Sequence, residues 1–200
     1  IFTTALKYKF ADVIVNCSRI LRQYAADNSD EKLYEEYDKH IKQYANVLDA
    51  EIRSEELHQR VIMNYYKPPS KKEGLEDRID NYCQALDSLA KVYKSPIVNY
   101  NRLLMWIFRY EMLGEYESML RVCEEAEAYI EANPNYAQED KVMTFNQKKA
   151  SAYLHMKDGK RGLPAVAQSE KVFDEGSDEW FNFLEYYILL ALHTEHYALA

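Results

Sequence analysis

Apolar residues recur every three or four positions along most of this chain, which is the spacing of one face of an α-helix. The pattern is clearest between Tyr100 and Tyr136, where Gly114 separates two apolar stripes and Pro134 follows the second. The stripes consist of Leu103, Trp106, Ile107 and Tyr110, then Met119, Cys123, Ala126 and Ile130. Because glycine and proline end helices, this stretch predicts two antiparallel helices joined at Gly114.

The N-terminal part of the chain has the same helical spacing. A first helix is predicted from about Tyr8 to Tyr24, before a polar turn at residues 27–30. The next stripe contains Leu33, Tyr37, Ile41, Tyr44, Leu48 and Ile52, then Val61, Ile62 and Tyr65. It predicts a long helix at about residues 31–66, either continuous or in two parts with a kink. A continuous helix would extend about 50 Å at 1.5 Å per residue.

The segment KPPSKKEG at residues 67–74 contains two prolines and predicts a boundary between N-terminal helices, residues 1–74, and a second section, residues 75–200. A narrow stripe follows, formed by Leu75, Ile79, Tyr82, Leu86, Leu89 and Tyr93. It favours a helix packed between two neighbours, with a coiled coil as the competing explanation. Three helix pairs are predicted next, at about residues 100–133, 136–174 and 177–200. Few breaks (5 Gly and 5 Pro) make the expected fold all-α.

The pattern Leu103-x2-Trp106-Ile107-x2-Tyr110, followed by Gly114-Glu115-Tyr116, Ala126 and Pro134, resembles the tetratricopeptide-repeat (TPR) superfamily. Departures from that pattern are Ile107 in place of a small residue, Met119 for Ala, Cys123 for an aromatic residue, and a late Pro134. Tyr116 and Tyr197 are 81 residues apart, so the repeats average about 40 residues, longer than the 34 of a strict TPR. In the middle pair, Lys157 to Gly162 lengthens the predicted turn and leaves its register open.

This resemblance implies an α-α superhelix of stacked helix pairs, with a concave groove lined by the first helix of each pair. The chain ends where the second helix of the last pair should begin, so we expect one continuous superhelix that belongs to a longer protein. The implied peptide-binding groove residues are Asn101, Leu104, Phe108, Glu111, Met112, Asn146, Lys149, Tyr153, Asn182, Glu185, Leu189 and Leu192.

The groove residues suggest the chemistry of a ligand and leave two alternatives open. With the middle pair registered on Gly159, Asn101, Asn146 and Asn182 are equivalent, either as a ladder for a peptide backbone or as helix N-caps. Leu104 and Phe108 occupy positions where the TPR clamp for a terminal carboxylate would need polar residues. The groove would therefore prefer apolar partners, unless these side chains are core residues packed against the next repeat.

Charge and cysteine content narrow the class of partner. The net charge of −8 comes from 33 acidic and 25 basic residues dispersed along the chain, which disfavours nucleic acid. The basic cluster from Lys67 to Lys72 is read as a solvated loop. Cys17, Cys83 and Cys123 lie within helical apolar patterns, which favours a reducing, cytoplasmic setting, although a signal trimmed before Ile1 is left open. No apolar run approaches the roughly 20 residues of a membrane span.

The sequence contains no clear catalytic motif, so we expect no enzymatic activity, cofactor or metal. Glu55 and His58 form a single Glu-x-x-His, whereas a di-iron bundle needs two such pairs and further Glu residues. His193, His196 and Glu195 fall at a predicted turn, and no phosphate loop or nucleophile motif is present. The expected function is a non-enzymatic scaffold that binds a protein or peptide. The alternative is a ligand-responsive regulator with the KPPSKKEG segment as its hinge and an output domain outside this chain.

Overall fold

The computed structural model describes residues 1–65, 74–133, 139–169 and 173–196. Within these ranges every regular element is an α-helix, which confirms the predicted all-α class. The helices are α1 Phe2–Tyr8, α2 Ala11–Asp27, α3 Glu31–Tyr65, α4 Leu75–Tyr93, α5 Pro96–Leu113, α6 Tyr116–Ala132, α7 Glu139–Met156, α8 Gly159–Ser169 and α9 Asp178–His193. The chain forms two compact units, residues 1–102 and residues 103–200.

The long helix is confirmed as one helix of 35 residues, α3, because no glycine or proline interrupts residues 31–65. The helix predicted from about Tyr8 to Tyr24 corresponds to α2, whereas the separate short helix α1 before it was not predicted. The break lies at Lys9, whose left-handed backbone (φ 57°) ends α1 without a glycine. The amide groups of Lys9 and Phe10 donate to the carbonyls of Leu6 and Ala5, which satisfies the helix end.

In the first unit, α1 packs on α2, and α2 and α4 each pack along α3. Ala11, Ser18 and Ala25 are buried on α2 at intervals of seven residues, so this seam has room for the backbone of a neighbouring helix. Buried apolar residues of α3 and α4 complete the core: Ala50, Leu57, Val61, Leu75, Ile79, Cys83 and Leu86. The narrow stripe predicted for α4 thus supplies three fully buried residues, while Tyr82, Leu89 and Tyr93 remain half-exposed.

In the second unit, α6 packs on α7, α7 packs on α8 and α9, and α8 packs on α9. Its core includes Leu103, Ile107, Met119, Cys123, Phe145, Val166, Phe183 and Leu190. Cys123 is a free thiol, and burial together with the charge of Glu127 raises its pKa to about 12. This cysteine therefore behaves as a small core residue.

Two boundaries in this region differ from the sequence prediction. Helix α5 begins at Pro96 instead of Tyr100, because Ser95 caps it by accepting a hydrogen bond from the Val98 amide at 3.4 Å. The turn after α7 is short, since α8 already begins at Gly159. A Cβ added to Gly162 would lie 2.7 Å from Tyr153 and 2.8 Å from Leu190, so this glycine permits the close packing of α7, α8 and α9.

Candidate functional site

Helix α9 has clear signals at both ends. The Ser177 hydroxyl accepts a hydrogen bond from the Trp180 amide at 3.1 Å, and Asp178 and Glu179 lie in the first turn, where acidic residues favour a helix. At the other end, Glu195 adopts a left-handed backbone and the His196 amide donates to the Ala191 carbonyl at 2.8 Å. Both ends of α9 are therefore fixed by residues within or next to the helix.

One face of α9 belongs to the core and the opposite face is exposed. Phe183, Leu190 and Ala191 are buried, and the Phe183 ring stacks on Phe173 with 4.6 Å between ring centroids. On the other side, three large apolar side chains remain exposed: Phe181 (58%), Ile188 (38%) and Leu192 (44%). They are spaced by seven and four residues, which places them on one helical stripe.

Acidic and polar residues lie on and beside this stripe. Asp178 and Glu185 share it, so that Asp178, Phe181, Glu185, Ile188 and Leu192 follow each other in steps of three, four, three and four residues. Both carboxylates are exposed, Asn182 is exposed beside them, and Leu189 is half-buried. We call these seven residues the α9 surface. It combines exposed apolar side chains with two carboxylates and an amide.

The ends of α5, α7 and α9 share a helix-terminating geometry that also follows α1 and α2, and its left-handed residue serves as a reference position for comparing the three helices. Each is followed by a left-handed residue (Gly114, φ 70°; Lys157, φ 55°; Glu195, φ 63°). In each case the next amide donates to the carbonyl five residues earlier, on Tyr110, Tyr153 or Ala191 respectively. Gly114 and Glu195 are 81 residues apart, the same separation as Tyr116 and Tyr197.

In this alignment, two positions near the centre of the α9 surface correspond to buried positions on other helices. Ile188 lies seven residues before the left-handed residue, as do Ile107 and Ala150. Ile107 and Ala150 are 0% and 1% exposed, whereas Ile188 is 38% exposed. Glu185 likewise corresponds to Leu104, which is buried. Within the described residues, the centre of the α9 surface is thus more exposed than its equivalents, whereas the other described stripe positions on α5 and α7 are half-buried.

The predicted groove residues fall into three groups. Buried side chains are Asn101, Leu104, Phe108, Asn146 and Tyr153. Half-buried ones are Glu111, Met112, Lys149 and Leu189. Exposed ones are Asn182, Glu185 and Leu192. The first group does not line an open surface, which favours the alternative that these side chains pack as core, while the members on α9 lie together and are accessible.

The half-buried charged residues are already paired inside the second unit. The Glu111 carboxylate accepts from Lys148 Nζ at 2.7 Å, and the Glu127 carboxylate accepts from Lys149 Nζ at 2.7 Å. Lys148 Nζ also lies 5.1 Å from the centroid of the Phe108 ring. These contacts join α5 to α7 and α6 to α7, so Glu111 and Lys149 have structural partners independent of a ligand.

The alignment of helix ends contradicts the predicted asparagine ladder. Asn101 and Asn182 each lie 13 residues before a left-handed residue, but Asn146 lies only 11 residues before Lys157, so the register on Gly159 is corrected. The N-cap alternative is wrong as well, because all three asparagines lie inside helices. Asn101 instead donates from Nδ2 to the Ser54 hydroxyl at 2.9 Å in a buried contact.

That contact belongs to a buried polar cluster in the first unit, which sequence patterns did not indicate. The Ser95 hydroxyl donates to the Glu51 carboxylate at 2.6 Å, and the Ser54 hydroxyl donates to the Glu51 carbonyl at 2.7 Å. Burial raises the pKa of the Glu51 carboxyl, the Ser95 hydrogen bond opposes this, and the charges of Asp12 and Glu55 add to it. The cluster connects α3 to the start of α5.

Residues considered for metal chemistry are not assembled into a site. Glu55 is exposed on α3, while His58 is half-buried and burial lowers its pKa. His193 and His196 each place Nδ1 2.8 Å from a backbone carbonyl, of Leu189 and Thr194 respectively. In the described part of the chain, no three His, Cys, Asp or Glu side chains are grouped so that they could hold a metal ion.

Phe181 and Ile188 were not predicted as site residues. The signal was available as the spacing of 181, 188 and 192, but spacing alone does not tell an exposed stripe from a buried one. Comparisons with protein-family models, with curated proteins and with solved structures find no match for this chain. None of the helices in the described ranges has the length and apolar character needed to cross a bilayer.

Proposed function

We propose that this chain is a non-enzymatic scaffold that binds a protein or peptide through the α9 surface. The observation that carries the proposal is the exposure of Phe181, Ile188 and Leu192 on one stripe, where the equivalents of Ile188 on α5 and α7 are buried. Exposed apolar residues scattered singly are ordinary, but a contiguous stripe on one helix is typical of an interaction site.

The size of the stripe sets the strength of the interaction. Fully burying a large apolar side chain contributes about 1.5 to 3 kcal/mol, and these three are already partly covered. The remaining gain is therefore roughly 1 kcal/mol each, which must offset the entropy lost on association. The stripe alone supports weak, reversible binding, and polar contacts at Asn182 and Glu185 would have to add to it.

Only part of the groove implied by the TPR resemblance belongs to the proposed binding surface. Its members on α9, namely Asn182, Glu185, Leu189 and Leu192, belong to the α9 surface together with Asp178, Phe181 and Ile188. The regulator with a hinge at residues 67–74 stays a prediction, because most of that segment lies outside the described residues.

The test compares two triple variants in affinity capture from a cell lysate. The site variant carries Phe181→Ser, Ile188→Ser and Leu192→Ser. The control carries Ile20→Ser, Met63→Ser and Val92→Ser, three exposed apolar residues of the first unit. Circular dichroism first establishes that both variants keep the helix content of the native chain.

We expect the native chain and the control to retain the same partner and the folded site variant to lose it. Equal capture by all three proteins would contradict the proposal, as would capture lost only from the control.

A further inference from the structure

The acidic residues on the α9 surface restrict what can cover it. Glu185 lies at the middle of the stripe, seven residues from Asp178 at one end and seven from Leu192 at the other. A helix laid along this stripe would bury the Phe181, Ile188 and Leu192 side chains and would remove water from the Glu185 carboxylate. A buried charge without a partner is costly, so the covering helix must supply a cation at that point.

The same position argues against a second copy of this chain as the occupant. Two α9 helices packed on these stripes in either direction, with their midpoints in register, would place Glu185 against Glu185 of the other copy. Two carboxylates in contact repel each other, and neither would gain a hydrogen-bond donor. Pairing of identical stripes is therefore disfavoured by the residue at their centre.

Helix α5 shows, at other positions of the helix, how one cation can contact an acid and an aromatic ring. There, the covering helix α7 places Lys148 Nζ 2.7 Å from the Glu111 carboxylate and 5.1 Å from the centre of the Phe108 ring. One cation thus serves an acid and an aromatic ring on the same helix. On α9, Phe181 and Glu185 are exposed and four residues apart, one more than Phe108 and Glu111, so they lie on one face where a single cation can contact both.

We infer that the partner of the α9 surface is an amphipathic helix whose apolar stripe carries a lysine or arginine facing Glu185. Its apolar residues cover Phe181, Ile188 and Leu192, and a second basic residue near its end faces Asp178. This inference rests on the proposed function and specifies the chemistry of the partner. The acidic surface and the basic helix are complementary in charge, which sets the partner preference and the orientation.

The experiment uses two synthetic 18-residue amphipathic peptides with the same leucine stripe and a fluorescent label. They differ at one central position, lysine in the first and glutamate in the second. Because Glu185 is the midpoint of the stripe, a central residue faces it in either chain direction. Fluorescence anisotropy measures the binding of both peptides to the native chain, to Glu185→Lys, and to Glu131→Lys, which reverses an exposed charge on α6.

We expect the native chain and Glu131→Lys to prefer the lysine peptide on the order of fivefold, and Glu185→Lys to reverse the preference. The preference should shrink as salt is raised. The inference is overturned if neither peptide binds, if both bind equally, or if the preference persists in Glu185→Lys. Self-association of the native chain in sedimentation equilibrium that the triple serine variant abolishes would also overturn it, in favour of a second copy.

These results are distinguishable from a failure of the proposed function. Loss of the captured partner from the triple serine variant, together with equal binding of the two peptides, would retain the docking surface and reject the basic helix. Unchanged capture by the triple serine variant would reject the surface itself.

Discussion

At the residue scale, the burial of Glu51 makes the stability of the folded chain depend on pH. Its carboxyl is buried, and burial raises its pKa above the ordinary value of 4.5. The folded chain therefore holds this proton more tightly than the unfolded chain, and the stabilisation from Glu51 is fully present below about pH 4.5. It is lost as the pH rises through the raised pKa, because a charged carboxylate must then remain buried.

Glu51→Gln should consequently stabilise the chain at neutral pH. Glutamine keeps an oxygen that accepts from Ser95 but has no proton to lose, so we expect a gain of roughly 1 kcal/mol in the free energy of unfolding at pH 8. The difference from the native chain should shrink toward pH 5. Urea unfolding over this range measures it, with Glu36→Gln on the exposed face of the same helix as the control. A gain that is the same at pH 5 and pH 8 would contradict the predicted linkage.

Also at the residue scale, replacing Gly162 with alanine has two opposing effects on stability. Alanine normally stabilises a helix relative to glycine by about 1 kcal/mol. At Gly162 the added methyl would press on Tyr153 and Leu190 at 2.7 and 2.8 Å, and such overpacking costs about 1 to 3 kcal/mol. We expect Gly162→Ala to lower the melting temperature and Lys160→Ala, exposed on the same helix, to leave it nearly unchanged. A higher melting temperature for Gly162→Ala would show that the helices separate at little cost.

At the scale of elements, equivalent positions of α5 and α9 have opposite environments. Leu104 on α5 is buried, whereas its equivalent on α9 is the exposed Glu185. Leu104→Glu should therefore cost about 3 kcal/mol or more, since it buries an unpaired charge. Glu185→Leu should leave stability within about 0.5 kcal/mol. Thermal unfolding followed by circular dichroism checks both. A Leu104→Glu chain as stable as the native one would indicate that Leu104 lines an open groove instead of the core.

The sequence pattern predicts individual helices better than it predicts which helix faces are buried. Periodicity identified α3, α4 and the α5–α6 pair, because an apolar face is encoded within each helix. It failed at Lys9, where a left-handed non-glycine residue ends a helix without a compositional signal. It also could not separate Phe108 from Ile188, since both lie on apolar stripes and only the packing of neighbouring helices decides which stripe is covered.

At the scale of the whole molecule, several basic side chains of the described residues are paired with acidic neighbours. Ion pairs join helices or stabilise single helices throughout the described residues. They include Arg22–Asp38, Lys42–Asp38, Arg60–Glu56, Arg102–Asp87, Lys148–Glu111, Lys149–Glu127 and Arg161 with both Glu117 and Asp158. Over the full chain 33 acidic residues exceed 25 basic ones, which gives a net charge of −8 and disfavours an extended basic face.

This charge distribution predicts that the chain does not bind nucleic acid. Non-specific binding requires several Lys or Arg side chains that replace the counterions of successive phosphates, and it strengthens steeply as salt is lowered. We expect no mobility shift of a 30-base-pair duplex or a 30-nucleotide single strand at about 50 mM salt, where such binding would be strong. The basic cluster from Lys67 to Lys72 lies outside the described residues, so a variant with Lys67, Lys71 and Lys72 changed to Ala is included. A salt-sensitive shift by the native chain that this variant loses would assign phosphate binding to that segment and contradict the prediction.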